Sequence, residues 1–132
     1  MNFLFKEEPE NYSYDAFSKD KRTTWTGVRN PAAQKHLRSV KKGDRIFYYH
    51  TGDEKAVVGI AKALKNAYAA PDGAGHVVDI APVKKLKRPV TLAEIKKDRR
   101  FAQLPLVRVP RLSVMPIDDD VFEAILKMSG TT

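Results

Sequence analysis

Three imidazoles, five serines and sixteen carboxylates are the side chains through which this 132-residue chain could move protons, attack a substrate or hold a metal. Their spacing builds no such site. His36, His50 and His76 stand far apart, none is four residues from another, and there is no cysteine, so an imidazole–thiolate zinc site is not expected. The same absence excludes a disulfide framework and a thiol nucleophile. Asp118-Asp119-Asp120 has the charge to hold Mg²⁺, but it opens an apolar-periodic segment, where acidic groups favour a helix N-terminus. None of Ser13, Ser18, Ser39, Ser113 and Ser129 lies in a G-x-S-x-G elbow. Neither phosphate-cradling glycine motif, G-x-G-x-x-G or G-x-x-x-x-G-K-[ST], occurs. The expectation is a protein that uses no metal or cofactor and is not an enzyme.

Base recognition asks for other parts: an aromatic face for stacking, polar groups for the base edge and cations for phosphate. The single tryptophan, Trp25, lies in the glycine-containing turn Trp25-Thr26-Gly27-Val28-Arg29-Asn30, just before a helix start whose free N–H groups attract anions. A lone tryptophan is more often core than ligand wall; Arg29 and Asn30 beside it shift the balance toward a ligand wall. Along residues 46–50, alternation puts Ile46, Tyr48 and His50 on one face and Phe47 and Tyr49 on the other, and one of these faces must be core. His50 at the strand end suits either a ligand or a structural partner.

These residues need a scaffold. Phe3 to Lys6 reads as a strand ended by Pro9, Tyr12 to Phe17 as one helical turn, and Lys19 to Thr24 as loop. Asn30 and Pro31 supply an N-cap and a first helical residue, and the helix runs over Ala32 to Lys41 until Gly43, with Arg38, Lys41 and Lys42 in its last turn. Asp44 to Thr51 and Ala56 to Leu64 form a hairpin, followed after the loop 71–75 by a strand from His76 to Leu86. Thr91 and Glu94 make a capping box that opens a short helix to about Lys97. Leu106 to Val109 and Leu112 to Met115 read as short strands, the second closed by Pro116, and Asp118 caps a last helix from Asp119 to Met128. Short strands with interspersed helices and no regular βαβ alternation indicate one α+β domain over residues 1–132, a small, partly closed barrel flanked by helices.

The net charge of +8 is unevenly spread. Residues 21–45 hold eight cations and one carboxylate, residues 81–111 ten and two, and the stretch between them three and four. Brought together, the two basic segments would attract phosphate. The N-terminus lacks a signal-peptide pattern and no run approaches a membrane span, so a cytoplasmic protein without membrane partners is expected. Without secretion, the sequon Asn11-Tyr12-Ser13 has no meaning.

Several segments, in order along the chain, resemble the EVE domain family. Phe3-Leu4-Phe5-Lys6-Glu7-Glu8-Pro9 is similar to W-L-x-K-S-E-P, and Trp25 to Asn30 to W-D-G-V-R-N. Lys42-Gly43-Asp44-Arg45-Ile46-Phe47-Tyr48-Tyr49-His50 is similar to G-D-x-x-F-x-Y-H, and Arg111-Leu112-Ser113-Val114-Met115-Pro116 to R-L-S-V-x-P, while Lys84 to Thr91 looks like K-K-L-K-R-P-V-T. The resemblance implies a PUA-like mixed β pseudobarrel flanked by short helices, kinship with YTH domains, and a monomeric module that reads a methylated or hydroxymethylated cytosine-like base in DNA or RNA. It implies Trp25 as the cage wall, with Phe3, Lys6, Glu7, Val28, Arg29, Asn30, Tyr48, His50, Arg111 and Ser113 lining or supporting the pocket. An RNA-binding module indifferent to modification is the alternative, and a small-molecule hydrolase ranks below both. Phe3, Glu7, Thr26, Pro31 and His76 depart from the residues usual in the family, and Glu7 bears most directly on the ligand.

Overall fold

The computed structural model describes residues 1–131. The chain order is β1 (Asn2–Glu7), α1 (Pro9–Tyr12), α2 (Tyr14–Asp20), β2 (Thr23–Trp25), α3 (Pro31–Arg38), β3 (Arg45–His50), β4 (Ala56–Ala63), β5 (Tyr68–Ala69), β6 (His76–Thr91), α4 (Leu92–Lys96), a 3-10 turn (Arg99–Phe101), α5 (Pro105–Arg108), β7 (Val114–Ile117) and α6 (Asp119–Met128). The sheet runs β2-β6-β4-β3-β1-β7, with β5 added on β6. Among the described residues only β1 and β3 pair in parallel. The 16-residue β6 shifts register twice against β4, and β3 shifts once against β4 between Tyr48 and Tyr49. Such irregularities sharpen the local twist and bend the strand, which curls the sheet around its interior.

Both faces of β3 are buried. Tyr48 points inward among Tyr14, Phe17 and Trp25, while Phe47 stacks on Phe122 of α6 with ring centroids 3.8 Å apart. The expectation of one core face therefore falls short, because α6 covers the outer side. A strand covered on both faces reads as an unbroken apolar run, and Ile46-Phe47-Tyr48-Tyr49 is one.

Local capping signals hold. Asn30 Oδ1 accepts the Ala33 N–H at 3.0 Å with Pro31 in the first turn, and the Thr91–Glu94 capping box closes in both directions. Other expectations need correction. Leu106 to Arg108 is helical rather than extended, with Val109 as the C-cap: Pro105 at the first helical position and N–H groups of Val107, Arg108 and Val109 returning to Leu104 and Pro105 make α5. Helix α2 and strand β2 fill most of the stretch read as loop, and Trp25 ends β2, paired with Val78. Helix α3 stops at Arg38, leaving Lys41 and Lys42 beyond it, whereas β6 continues to Thr91. Pro116 lies inside β7 opposite Phe3; β7 is an edge strand, where a missing N–H is tolerated. Asp118 holds the N-cap position of α6 without a side-chain cap bond, and the Asp119 carboxylate instead accepts from Asn2 Nδ2 at 2.6 Å. Among the described residues no helix is long and apolar enough to cross a membrane, and no group of three or more His, Asp or Glu side chains is arranged to hold a metal.

Candidate functional site

Strand alternation divides the eleven site residues read from the sequence into three groups. The first lies on the inner face, toward the end where parallel β1 and β3 run out. Phe3 is fully buried below it, paired with Ile46. Above, Trp25 is 6% exposed, its ring 5.4 Å from those of Phe5 and Tyr48. The Tyr48 hydroxyl donates to the Tyr12 carbonyl. Burial, with the Glu7 charge next in weight, pushes that phenol far up, so it stays protonated. Glu7 faces His50 in register and accepts the Glu8 N–H at 2.8 Å. His50 Nε2 accepts the Tyr14 N–H at 3.0 Å, which leaves the proton on Nδ1 to be donated to Glu54 at 2.7 Å. Nε2 thus fastens α2 to the β3–β4 hairpin, while Nδ1 ties β3 to the hairpin's own turn.

Lys6, Arg111 and Ser113 form a second group on the opposite face. The Lys6 ammonium donates to the Pro110 carbonyl at 2.7 Å and lies 5.7 Å from the Tyr49 ring centre; burial pushes its pKa down. Its backbone N–H donates to the Ser113 carbonyl at 2.9 Å. Ser113 is half-buried, and the exposed Arg111 guanidinium has no ion-pair or hydrogen-bond partner among the described residues.

Val28, Arg29 and Asn30 make the third group, on the turn between β2 and α3. Val28 and Arg29 line a pocket of about 870 Å³, closed on its other side by Tyr68, Pro71, Asp72 and Val77. Gln34 joins the walls: its amide donates to the carbonyls of Val28 at 2.7 Å and His76 at 3.1 Å, and its oxygen accepts the His76 N–H at 2.9 Å. Under the wall, buried Asp79 accepts the hydroxyls of Thr24 at 2.9 Å and Tyr68 at 2.7 Å. Burial works to raise the Asp79 pKa, but those hydroxyls and the Lys65 ammonium outweigh it and hold the carboxyl below its usual range. Arg29 is exposed and has no ion-pair or hydrogen-bond partner among the described residues. The result is a partly apolar slot, tied by Gln34 and Asp79 and carrying a cation unpaired among the described residues, in the size range of small-molecule and nucleotide sites.

Gln34, Tyr68 and Asp79 escaped the sequence reading. Asp79 had a signal, a lone carboxylate between Val78 and Ile80 in an apolar strand. Tyr68 had none, since β5 is two residues long. The net charge is also only partly available to a ligand: Arg45 pairs with Glu123, Lys85 with Asp15, Arg88 with Glu94 and Arg100 with Asp98.

The EVE domain family model matches residues 1–128. Thymocyte nuclear protein 1 of Danio rerio is 31% identical over 80% of this chain and 57% of its own length, so the chain spans a little over half of that relative. Among solved structures, Rpa0253 from Rhodopseudomonas palustris is 40% identical with a TM-score of 0.92, over 98% of this chain and 92% of that one. Human THYN1, solved in complex with 5-methylcytosine-containing DNA, is 26% identical with a TM-score of 0.90, over 99% and 98%. The curled mixed sheet with short flanking helices is the α+β, PUA-like pseudobarrel that the resemblance implies.

Proposed function

The chain belongs to the EVE domain family, and on that premise we propose that it binds nucleic acid without catalysis and reads a methylated or hydroxymethylated cytosine in DNA. The observation that carries this reading is the 870 Å³ pocket walled by Val28 and the unpaired Arg29, beside the turn that follows Trp25. The human relative solved with methylated DNA supports the ligand class. In this reading Tyr68 offers the stacking face and Arg29 meets phosphate, while Trp25, enclosed by Phe5 and Tyr48, sets the turn. Extruding a base from a duplex costs a few kcal/mol. Stacking on one aromatic returns about 1–3 kcal/mol. Affinity then depends on Arg29 and on cations outside the slot, and selectivity on the slot's walls.

Fluorescence anisotropy with three labelled strands of one sequence tests the proposal: a duplex with a central 5-methylcytosine, the unmodified duplex and the matching RNA. Burying one methyl group is worth about 0.8 kcal/mol, about fourfold in affinity. The methylated duplex should bind at least that much more tightly than the unmodified one, and Arg29→Gln should weaken it. Equal affinity for the two duplexes refutes the reading of a modification. Tighter binding of the RNA would instead favour the module that does not depend on modification.

A further inference from the structure

Tyr68 borders two depressions. One side belongs to the 870 Å³ pocket, and the other to a shallower hollow of about 400 Å³ lined by Lys42, Lys65, Asn66 and Ala67. We infer that the hollow is a phosphate subsite for the strand flanking the pocketed base, so that the ligand is a polynucleotide passing over Tyr68 rather than a free nucleoside. The inference rests on the functional reading above and names the part of the ligand that the slot does not hold.

Three observations carry it. First, the hollow is cationic, with no carboxylate in its lining. The exposed Lys42 ammonium has no ion-pair or hydrogen-bond partner among the described residues. Second, Lys65 is already aimed. Its ammonium lies 4.6 Å from the Tyr68 ring centre and 3.6 Å from Asp79 Oδ2, which fixes it beside the aromatic wall. A phosphate competes with Asp79 for this cation, but Asp79 keeps the Thr24 and Tyr68 hydroxyls and Arg22 at 3.9 Å. Third, the two loops that form the hollow are locked together. Asn66 Oδ1 accepts the Lys42 N–H at 2.9 Å, the Ala67 N–H donates to Val40 at 3.0 Å and the Gly43 N–H to Ala63 at 2.9 Å. Asn66 spends its oxygen in that lock and presents its amide hydrogens, which are donors for an anion. A base against one side of Tyr68 with its phosphate reaching two lysines on the other follows the common plan of stacking platforms beside a positive groove.

The test uses the full chain and its K42Q, K65Q and K42Q/K65Q variants, with K96Q/K97Q as a control that removes two exposed charges outside both depressions. The probes are 5-methyl-2′-deoxycytidine and a 12-nucleotide single strand containing it, after thermal melting has verified folding. The wild type should bind the strand more tightly than the nucleoside. K42Q/K65Q should weaken the strand about tenfold, the scale of one charged hydrogen bond lost. It should also reduce the salt slope by about 0.7, one phosphate on a single strand, while the nucleoside affinity stays within twofold. An equal loss in K96Q/K97Q would make the effect diffuse charge and overturn the subsite, as would equal wild-type affinity for nucleoside and strand. Release of the strand by inorganic phosphate at constant ionic strength would assign a free-anion site, which also overturns it. A wild type that binds neither probe nor the methylated duplex defeats the functional reading itself, an outcome distinct from normal wild-type binding with unaffected variants.

Discussion

Trp25→Ala separates a structural tryptophan from a ligand wall. The indole is 6% exposed and lies 5.4 Å from the rings of Phe5 and Tyr48, inside a cluster that includes Tyr14 and Phe17. Truncating a buried aromatic to alanine costs about 3–5 kcal/mol, partly for transfer and partly for the cavity left behind. Domains have about 5–15 kcal/mol in total, so the variant should fold but melt early. At this chain length 1 kcal/mol corresponds to roughly 3–5 °C, which puts the loss at roughly 10–25 °C. Trp25→Phe keeps a ring between Phe5 and Tyr48 and should lose less. Scanning calorimetry of the three proteins provides the measurement. Because Trp25 is the sole tryptophan, its emission also reports on the site: a base held against Tyr68 with its phosphate at Arg29 should change it little. A Trp25→Ala protein melting within about 2 °C of wild type, well under 1 kcal/mol, would refute the core assignment. A large quench of Trp25 on binding methylated DNA would return the indole to the role of stacking wall.

Asn30→Ala removes the cap of α3 and should cost about 0.5–2 kcal/mol in urea unfolding; unchanged DNA binding by the still-folded variant would confine Asn30 to structure. Gly59→Ala should destabilise by about 1–3 kcal/mol of overpacking, because a Cβ there would stand 2.4 Å from the buried Tyr14 ring; a smaller residue in place of Tyr14 should recover part of the loss in the same melt. Glu94 is held at about 2 against its ordinary 4.5, chiefly by the Arg88 hydrogen bond. Since its folded pKa is the lower one, its contribution is complete above about pH 4.5 and fades as pH falls toward 2; the melting gap between wild type and Glu94→Gln, which keeps the capping box, should shrink over that window. Binding of methylated duplex should weaken linearly in log–log salt titration with a slope of about −4 to −5, as for four to six phosphate contacts, and a flat titration would remove the electrostatic part of the proposal.

The sequence is most legible where a side chain speaks to its own backbone. Asn30, Thr91 and Glu94 mark helix starts through bonds spanning three residues and Pro31 through its fixed φ, and the structure keeps each. It is least legible where a segment takes its form from a distant neighbour. Strands β2 and β5 are three and two residues long and exist because β6 offers them an edge. Leu106 to Val109 is apolar but for Arg108 and too short to show a period, so only Pro105 distinguishes helix from strand. The site divides in the same way. Val28 and Arg29 follow from the Trp25–Asn30 segment, whereas Tyr68 and Gln34 join the pocket only through β5 and the long-range bonds to His76. Lys6 and Trp25 belong to motifs that resemble one family signature, yet alternation along β1 sends Lys6 outward to Pro110 while its neighbour Phe5 meets Trp25 inside.

Five of the six residues from Trp25 to Asn30 have separate physical tasks, which explains why stability and recognition meet there. Trp25 anchors the start in the interior, and Asn30 anchors the end on the first turn of α3. Gly27 turns the chain at a φ of 78°, where a side chain is strained although nothing crowds it. Gln34 holds the Val28 carbonyl, fixing the apolar part of the wall. The Arg29 guanidinium projects without a partner among the described residues, on a segment held at both ends, so it reaches an anion with little backbone ordering still to be done. Changes to the anchors should therefore lower melting temperature and binding together, whereas Arg29→Gln should lower binding alone. An Arg29→Gln protein that melts several degrees lower would show that the guanidinium works for the fold, and the slot would then lack the free cation on which recognition of a nucleic acid depends.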